Sequence, residues 1–195
     1  LTDVSERMPQ GWATGVTVVQ INGGVSLNRR PGTASVLAST IAQRANGHAI
    51  LLPSPAILER LATKKAIESD RTVAGVLERA RAANAYLYSA GSVGPNSAHV
   101  ESGYLRAEEV EELGFRGAIG DVVGRYIDAN GNIVDPALDE RTLGISLDTL
   151  RAAATSILVV AGSAKHDIAR AVVTSGLCTV LITDESTARA LLEDT

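Results

Sequence analysis

Short apolar runs alternate with segments of helical periodicity along this chain. Residues 16–21 are rich in β-branched side chains and predict a buried strand, and apolar residues at 34–45 then recur at helical spacing until Gly47. Residues 49–52 and 85–90 predict two further strands. The helix between these two strands has an apolar face made of Val73, Val76, Leu77, Ala80 and Ala83. Such alternation is typical of an α/β protein.

The last third of the chain repeats this pattern most regularly. Residues 157–161 predict a strand, 165–175 a helix and 179–183 another strand, before a final helix. Continuous apolar strands joined by a helix predict a right-handed βαβ crossover in a parallel sheet covered on both faces. We therefore expect one domain over residues 1–195, built on a mostly parallel sheet with helices on both faces.

A different pattern separates these two parts. The dipeptide Asn130-Gly131 is typical of a type I′ turn. We expect a β-hairpin that joins residues 124–128 to 132–134, outside the parallel sheet, where it would serve as a lid or a subunit contact. The opening residues 1–4 have the pattern of a helix interior, so we expect this chain to be a piece of a longer protein.

The composition of the chain argues against several classes of protein. Hydrophobic residues make up 45% of the 195 residues and charged residues 21%, which excludes a disordered protein. The net charge of -4 and the 3% aromatic content argue against DNA binding by this chain alone and against a base-stacking platform. No apolar run approaches the roughly 18 residues of a membrane span, and no signal peptide opens the chain, so we expect a cytoplasmic protein without a membrane partner.

Cysteine and histidine indicate no metal or redox chemistry. Cys178 is the only cysteine, so an internal disulfide and a cysteine zinc site are excluded, and its apolar neighbours predict a buried, inert thiol. His48, His99 and His166 have no metal-ligand spacing and are expected to be ordinary surface or loop residues. We expect neither a metal nor a cofactor.

Small residues follow four of the predicted strands, at the sheet edge where ligands bind in open α/β folds. Glycine at such positions allows close approach of the backbone and exposes N–H groups to an anion. Each glycine alone is explained by a turn, but together the four segments indicate a site. The segments are Asn22-Gly23-Gly24, the run 91–97 that begins with Gly91 and Ser92, the run 117–125 around Asp121, and Gly162-Ser163-Ala164-Lys165.

Lys165 and Asp121 are the strongest individual candidates for ligand-binding residues. Lys165 is one of three lysines and stands at a predicted helix start, where a phosphate would meet free N–H groups and an ammonium together. A structural role explains a cation there poorly. For Asp121 two interpretations stay open. Its functional role is that of an acceptor for sugar hydroxyls or a general base, and its structural role is that of a capping or salt-bridged carboxylate. The pairs Arg29-Arg30 and Lys64-Lys65 are expected to be solvated.

Five segments in order along the chain carry a resemblance to a known family. They are residues 18–24 (VVQINGG), 117–128 (GAIGDVVGRYID), 141–145 (RTLGI), 160–165 (VAGSAK) and 181–188 (LITDESTA). These segments resemble VQLNGG, GAVGDIxGRFFD, RxIGL, VAGGxxK and LVTDExTA of the sugar-binding domain of SorC/DeoR-type bacterial transcriptional regulators. The order and spacing hold over the whole chain.

The resemblance implies a fold related to sugar-phosphate isomerases, glucosamine-phosphate deaminase and CoA transferases, and a phosphorylated sugar as effector. It implies that Lys165 contacts the phosphate and that Asp121 contacts the sugar hydroxyls. We further expect the amides of Gly162 and Ser163 to meet the phosphate together with Lys165. We expect Asn22 and the run 91–97 that begins at Gly91 to take hydroxyls together with Asp121. Relatives place arginine or lysine at the Asn22 position, so asparagine disfavours a bisphosphate clamp and a covalent adduct here.

The resemblance also implies partners. The family carries a helix-turn-helix domain and a Gly/Thr-rich loop before the equivalent of Leu1, and neither is in this chain. We therefore expect operator DNA to be bound by a domain outside it, and the chain to form a dimer or tetramer. One alternative is a sugar-phosphate isomerase or deaminase with Asp121 as base, although no acid/base partner is evident from the sequence. The other is a scaffold that has lost its ligand.

Overall fold

The computed structural model describes residues 1–25 and 34–193, and in these ranges eight short strands alternate with ten α-helices. The strands are β1 Thr17–Val19, β2 His48–Ile50, β3 Tyr86–Tyr88, β4 Ala90–Ser92, β5 Gly120–Val122, β6 Arg125–Ile127, β7 Ser156–Val159 and β8 Val180–Ile182. The helices are α1 Thr2–Arg7, α2 Ala34–Arg44, α3 Leu61–Ser69, α4 Arg71–Arg81, α5 Ala98–Glu101, α6 Ala107–Phe115, α7 Pro136–Arg141, α8 Leu147–Arg151, α9 His166–Thr174 and α10 Glu185–Glu193. Arg29 and Arg30 lie outside the described residues.

The strands form three separate sheets, so the fold is mixed α/β. Strands β1 and β2 are parallel, and β3, β7 and β8 form a parallel sheet in that order. The parallel pairing of β7 and β8 around α9 confirms that part of the prediction. Strands β4, β5 and β6 instead form an antiparallel sheet. The prediction of one mostly parallel sheet is therefore too simple.

The departure begins inside the strand predicted at 85–90. This segment divides at Ser89 into β3, which stays in the parallel sheet, and β4, which pairs with β5. Gly91 and Ser92 consequently lie in a strand and not in a loop at a strand end. The division is possible because Ala90, Gly91 and Ser92 are small, and Gly91 faces Asp121 directly across the ladder.

The longer helices follow the predicted periodicity. Helix α4 buries Val73, Val76, Leu77 and Ala80, and the Asp70 carboxylate caps it by accepting from the amides of Thr72 and Val73. Helix α2 ends where predicted, because Asn46 takes a φ of +49° and the Gly47 amide bonds back to Ala42. A Cβ at Gly47 would lie 1.9 Å from the carbonyl oxygen of Val16, so only glycine fits.

The largest hydrophobic cluster lies under the sheet regions that carry the candidate site. It contains buried side chains from β3, β5, β7 and α9, among them Tyr88, Val122, Leu158 and Ile168. Cys178 packs against this cluster and is only partly buried. Burial raises the pKa of its thiol, which favours the unreactive protonated form predicted for it.

The predicted hairpin exists, but its turn chemistry differs. Ile127 bridges Ile133 and the Val134 amide donates to Tyr126, so the two arms do pair. Only Gly131 has a positive φ there, however, whereas a type I′ turn needs two such residues. The Asp128 carboxylate accepts from the amides of Asn130 and Asn132, both at 2.9 Å, and this bonding stabilises a longer loop instead.

The two consecutive positive φ angles that a type I′ turn requires occur at Val123 and Gly124, between β5 and β6. A β-branched residue such as Val123, with a φ of +49°, is strained in this conformation. Its side chain is buried in the largest cluster, which compensates for the strain. The turn places the Gly124 amide next to Asp121.

Candidate functional site

Asp121 lies at the centre of the antiparallel sheet, on β5, and is 9% exposed. Its Oδ2 accepts a hydrogen bond of 3.0 Å from the Gly124 amide at the strained turn. Its other oxygen, Oδ1, extends over Gly91, where an added Cβ would lie 1.9 Å away. The carboxylate is therefore fixed on one side by backbone and passes over a position that only glycine can occupy.

Lys165 contacts the same strand, at the residue before Gly91. It ends a 3₁₀ turn, Ser163–Lys165, and is followed directly by α9. Its Nζ donates to the carbonyl oxygen of Ala90 at 2.9 Å. Burial lowers the pKa of Lys165, while the negative charge of Asp121 acts in the opposite direction. The structure thus brings the cation and the anion predicted from sequence to the same short strand.

Gly162 and Ser163 precede Lys165 and are exposed. Gly162 has a φ of +93° and a ψ of 151°, a conformation that is essentially restricted to glycine. Its amide donates to Oδ2 of Asp184 at 2.6 Å. An anion already contacts the predicted phosphate-binding amide, and that anion belongs to the protein.

The Asn22–Gly24 segment is held mainly by backbone contacts to other parts of the chain. Asn22 pairs with Gly144 in an isolated antiparallel bridge. The amide of Gly23 donates to Leu143 at 3.0 Å and that of Gly24 to Ser54 at 2.8 Å. These amides are therefore engaged in the fold. Among the described residues, the Asn22 side chain makes no hydrogen bond and is partly exposed.

Tyr104 connects this segment to the rest of the site. Its hydroxyl donates to the carbonyl oxygen of Val25 at 2.8 Å, and its ring centroid lies 6.3 Å from that of His99. The end of the Asn22–Gly24 segment and the surroundings of Asp121 are therefore joined through two side chains that sequence reasoning did not include.

His99 contradicts the expectation of an ordinary surface or loop residue. It lies on α5 and is 8% exposed. Its Nδ1 is 3.0 Å from the Tyr126 hydroxyl, and its Nε2 is 3.8 Å from Oδ2 of Asp121. Burial raises the pKa of Tyr126, and the charge of Asp121 adds to the effect. The buried His99 side chain thus lies next to the Asp121 carboxylate.

No spacing in the sequence relates His99 to Asp121, because they are 22 positions apart and belong to different elements. The only local pattern next to His99 is the N-cap residue Ser97, which accepts from the Val100 amide at 3.4 Å and marks the start of α5. His48 is exposed as expected, whereas His166 is partly buried. Within residues 1–25 and 34–193, no three potential metal-binding side chains come together. Every helix in these ranges is too short or too polar to cross a bilayer.

Comparison with known proteins gives the family. Over residues 1–193 the chain matches the family described as "Putative sugar-binding domain". The chain belongs to this family. It is 33% identical over 191 residues to the deoxyribonucleoside regulator of Bacillus subtilis, a match that covers 98% of this chain and 61% of that protein. It is 31% identical to the erythritol catabolism regulatory protein EryD of Brucella abortus, covering 95% of this chain and 58% of that protein.

Solved structures agree with this assignment. The full-length sorbitol operon regulator SorC from Klebsiella pneumoniae matches with a TM-score of 0.86 and 25% identity, covering 97% of this chain and 62% of that one. A DeoR family transcriptional regulator from Listeria monocytogenes has the same fold, with a TM-score of 0.86 at 20% identity over 97% of this chain and 74% of that one. The resemblance to SorC/DeoR-type sugar-binding domains is thereby confirmed.

The sugar-binding domain spans about three-fifths of the length of these curated relatives, 61% and 58%. The family and the relatives named above are transcriptional regulators and not enzymes. His99 supplies the acid/base neighbour of Asp121 that the enzyme alternative lacked. Its Nε2 is nevertheless 3.8 Å from the carboxylate, too far for a hydrogen bond, and the family argues against catalysis.

Proposed function

We propose that this domain binds a phosphorylated sugar above Gly91, between the ammonium of Lys165 and the carboxylate of Asp121. One observation carries the proposal. Both charges are at least partly buried and reach strand β4, where Asp121 lies over Gly91, yet in the described part of the chain Lys165 donates only to the backbone oxygen of Ala90. Burying charges without pairing them is costly, which is typical of a site that a ligand completes.

The phosphate and the hydroxyls of a sugar phosphate match the cation and the carboxylate of this site. The phosphate would meet the Lys165 ammonium and the exposed backbone of Gly162 and Ser163. The hydroxyls would donate to Oδ1 of Asp121, with Asn22 and Ser92 as further polar neighbours. Each hydrogen bond to a charged group contributes about 1.5–3 kcal/mol. The regulators of deoxyribonucleoside, erythritol and sorbitol use support a small polyhydroxylated ligand.

The full protein would be a bacterial transcription factor with residues 1–195 as its effector-binding domain. Operator DNA would be bound by a domain outside this chain, since the chain carries a net charge of -4. Two or four copies would assemble, and the ligand would change how they hold their DNA-binding domains. We also infer a fold kinship with sugar-phosphate isomerases and CoA transferases.

Replacement of Lys165 tests the proposal. We expect a panel of pentose, tetrose and hexose phosphates to include compounds that raise the melting temperature of the wild-type domain. The shift should be lost in Lys165→Ala, because the phosphate loses its cation, and unphosphorylated sugars should give little shift in either protein. Differential scanning fluorimetry measures both effects.

Lys65→Ala is the matched control, since Lys65 is an exposed lysine on α3 and the change removes the same charge. This variant should keep the full ligand-induced shift. An undiminished shift in Lys165→Ala would contradict the proposed site. No stabilisation of the wild-type domain by any member of the panel would favour a scaffold that has lost its ligand.

A further inference from the structure

The Asp184 carboxylate accepts a hydrogen bond from the Gly162 amide, a group that would contact the phosphate in the proposed site. The Gly162 amide donates to its Oδ2 at 2.6 Å, across 22 positions of sequence. The geometry arises because β7 and β8 are adjacent parallel strands, so the residues that follow them meet at one sheet edge. Gly162 follows β7 closely and Asp184 follows β8 closely.

The same carboxylate caps the last helix. Oδ1 of Asp184 accepts from the Thr187 amide at 2.7 Å and from the Ser186 hydroxyl at 2.8 Å. The Thr187 hydroxyl donates to Oδ2 at 3.2 Å, and Thr187 is fully buried. Asp184 therefore connects the segment 162–165 with the start of α10.

Asp184 is ionised at neutral pH. The hydrogen bond from the Thr187 amide, followed by those from Ser186 and Gly162, holds the pKa of Asp184 well below its usual range. A negative charge thus rests at the point where a second anion would approach. Two anions cannot both accept linearly from one N–H group, and they repel each other.

We propose that Asp184 is an internal competitor of the ligand: its carboxylate holds the Gly162 amide in the free domain, and the phosphate of a bound sugar displaces it. This inference rests on the proposed function and adds a regulation to that site. Displacement removes one of the contacts of the group that caps α10. Ligand binding is thereby coupled to the start of this helix, which packs on α9 through the hydrogen bond from Arg170 to Leu191.

Asp184→Asn removes the charge and keeps the cap, because asparagine is as good an N-cap residue as aspartate. Isothermal titration with inorganic phosphate, and with the sugar phosphate that gives the largest thermal shift, compares the variant with the wild-type domain. We expect both to bind about three- to tenfold more tightly to Asp184→Asn, since one repulsion is relieved. The unphosphorylated form of the same sugar should show no gain.

Asp70→Asn is the matched control, because Asp70 is an exposed carboxylate that caps α4 through the amides of Thr72 and Val73. It makes the same change in net charge and should leave affinity unaltered. Asp184→Ser, which keeps a capping hydroxyl without the charge, should reproduce the gain and covers the case of an unfolded Asp184→Asn.

The Gly162 amide resonance gives a direct second readout. In ¹⁵N-labelled wild-type protein it should move on addition of inorganic phosphate, together with the amide of Thr187. Unchanged or weaker phosphate binding by Asp184→Asn, while the wild type binds and Lys165→Ala does not, would overturn this inference alone. Absence of binding to the wild type and to every variant would overturn the proposed function and this inference with it.

Discussion

The two charged groups of the candidate site are held in opposite ways. Asp121 lies in the buried antiparallel sheet, where the Gly124 amide at 3.0 Å and the close approach of Gly91 restrict it. Lys165 ends an exposed segment, in which Gly162 has no atom within 4 Å of an added Cβ. The carboxylate is restricted by a hydrogen bond and by close packing in a buried sheet. The cation is held by its hydrogen bond to Ala90, in an exposed segment whose Gly162 amide bonds to Asp184.

This difference separates two tasks. A buried, fixed acceptor discriminates between arrangements of hydroxyls, because it cannot move to suit a wrong one. An exposed segment with a cation and accessible backbone accepts any phosphate and can respond when one binds. We therefore expect substitutions near Asp121 to affect stability and selectivity together, and substitutions near Gly162 to affect mainly phosphate affinity.

The largest effect is expected for Gly91→Ala. The new methyl group would lie 1.9 Å from Oδ1 of Asp121, so the carboxylate or the strand must move. We expect a loss of about 2–3 kcal/mol in the free energy of unfolding, measured by urea denaturation. Binding of the sugar phosphate should also be lost.

Gly75→Ala provides the control for that substitution. Gly75 lies within α4 and an added Cβ meets nothing within 4 Å, so this variant should gain roughly 0.5–1 kcal/mol. Wild-type stability and wild-type binding in Gly91→Ala would remove the basis for calling the Asp121 side of the site rigid.

An intermediate effect is expected for Gly162→Ala. No atom opposes the methyl group, but the backbone conformation of φ +93° and ψ 151° is unsuited to alanine. We expect a loss of roughly 1–2 kcal/mol in unfolding free energy, from backbone strain alone. Titration calorimetry should show weaker binding of the sugar phosphate, but not its abolition. A larger loss of stability than in Gly91→Ala would reverse the comparison.

The smallest effect is expected in the pH dependence of stability. The pKa of Asp184 is lowered in the folded domain by its hydrogen bonds, first that from Thr187. The stabilisation it gives is therefore present above about pH 4 and is lost as pH falls through the lowered pKa. The melting temperature of the wild-type domain should fall more steeply below pH 4 than that of Asp184→Asn.

Because Asp184 is at the surface, added salt should reduce the difference between the two proteins. Parallel melting curves for both between pH 6 and pH 2 would show that the hydrogen bonds of this carboxylate contribute nothing to stability.

Local patterns predicted most of the longer elements. Helices α2, α4, α9 and α10 and the strands β1, β2, β3, β7 and β8 lie within a few residues of their expected positions, because periodicity and caps depend on neighbouring residues. Helices α3 and α5 to α8 were not predicted. Helices α5, α7 and α8 have only four to six residues, which show too little of a helical period to be recognised. Helices α3 and α6 have nine residues each and are also short.

The antiparallel sheet could not be derived from local patterns either. Strand β4 pairs with β5 some thirty positions later, and the pairing depends on Gly91 leaving room for Asp121. The type I′ turn predicted at Asn130-Gly131 was wrong because a neighbouring side chain changes the loop. Asn130 favours a left-handed conformation by itself, but the Asp128 carboxylate binds its amide and supports another loop.

The sequence by itself determined that Lys165 follows the run Gly162-Ser163-Ala164 at the start of a helix, and that Asp121 lies between glycine and apolar residues. These are properties of consecutive residues. Tertiary structure alone decided that Lys165 and Asp121 both reach strand β4, at Ala90 and Gly91. It also decided that His99 is buried near the Asp121 carboxylate and that Asp184 accepts from the Gly162 amide. The physical reason is that burial and hydrogen bonds between distant residues depend on how sheets pack, which no neighbouring residue encodes.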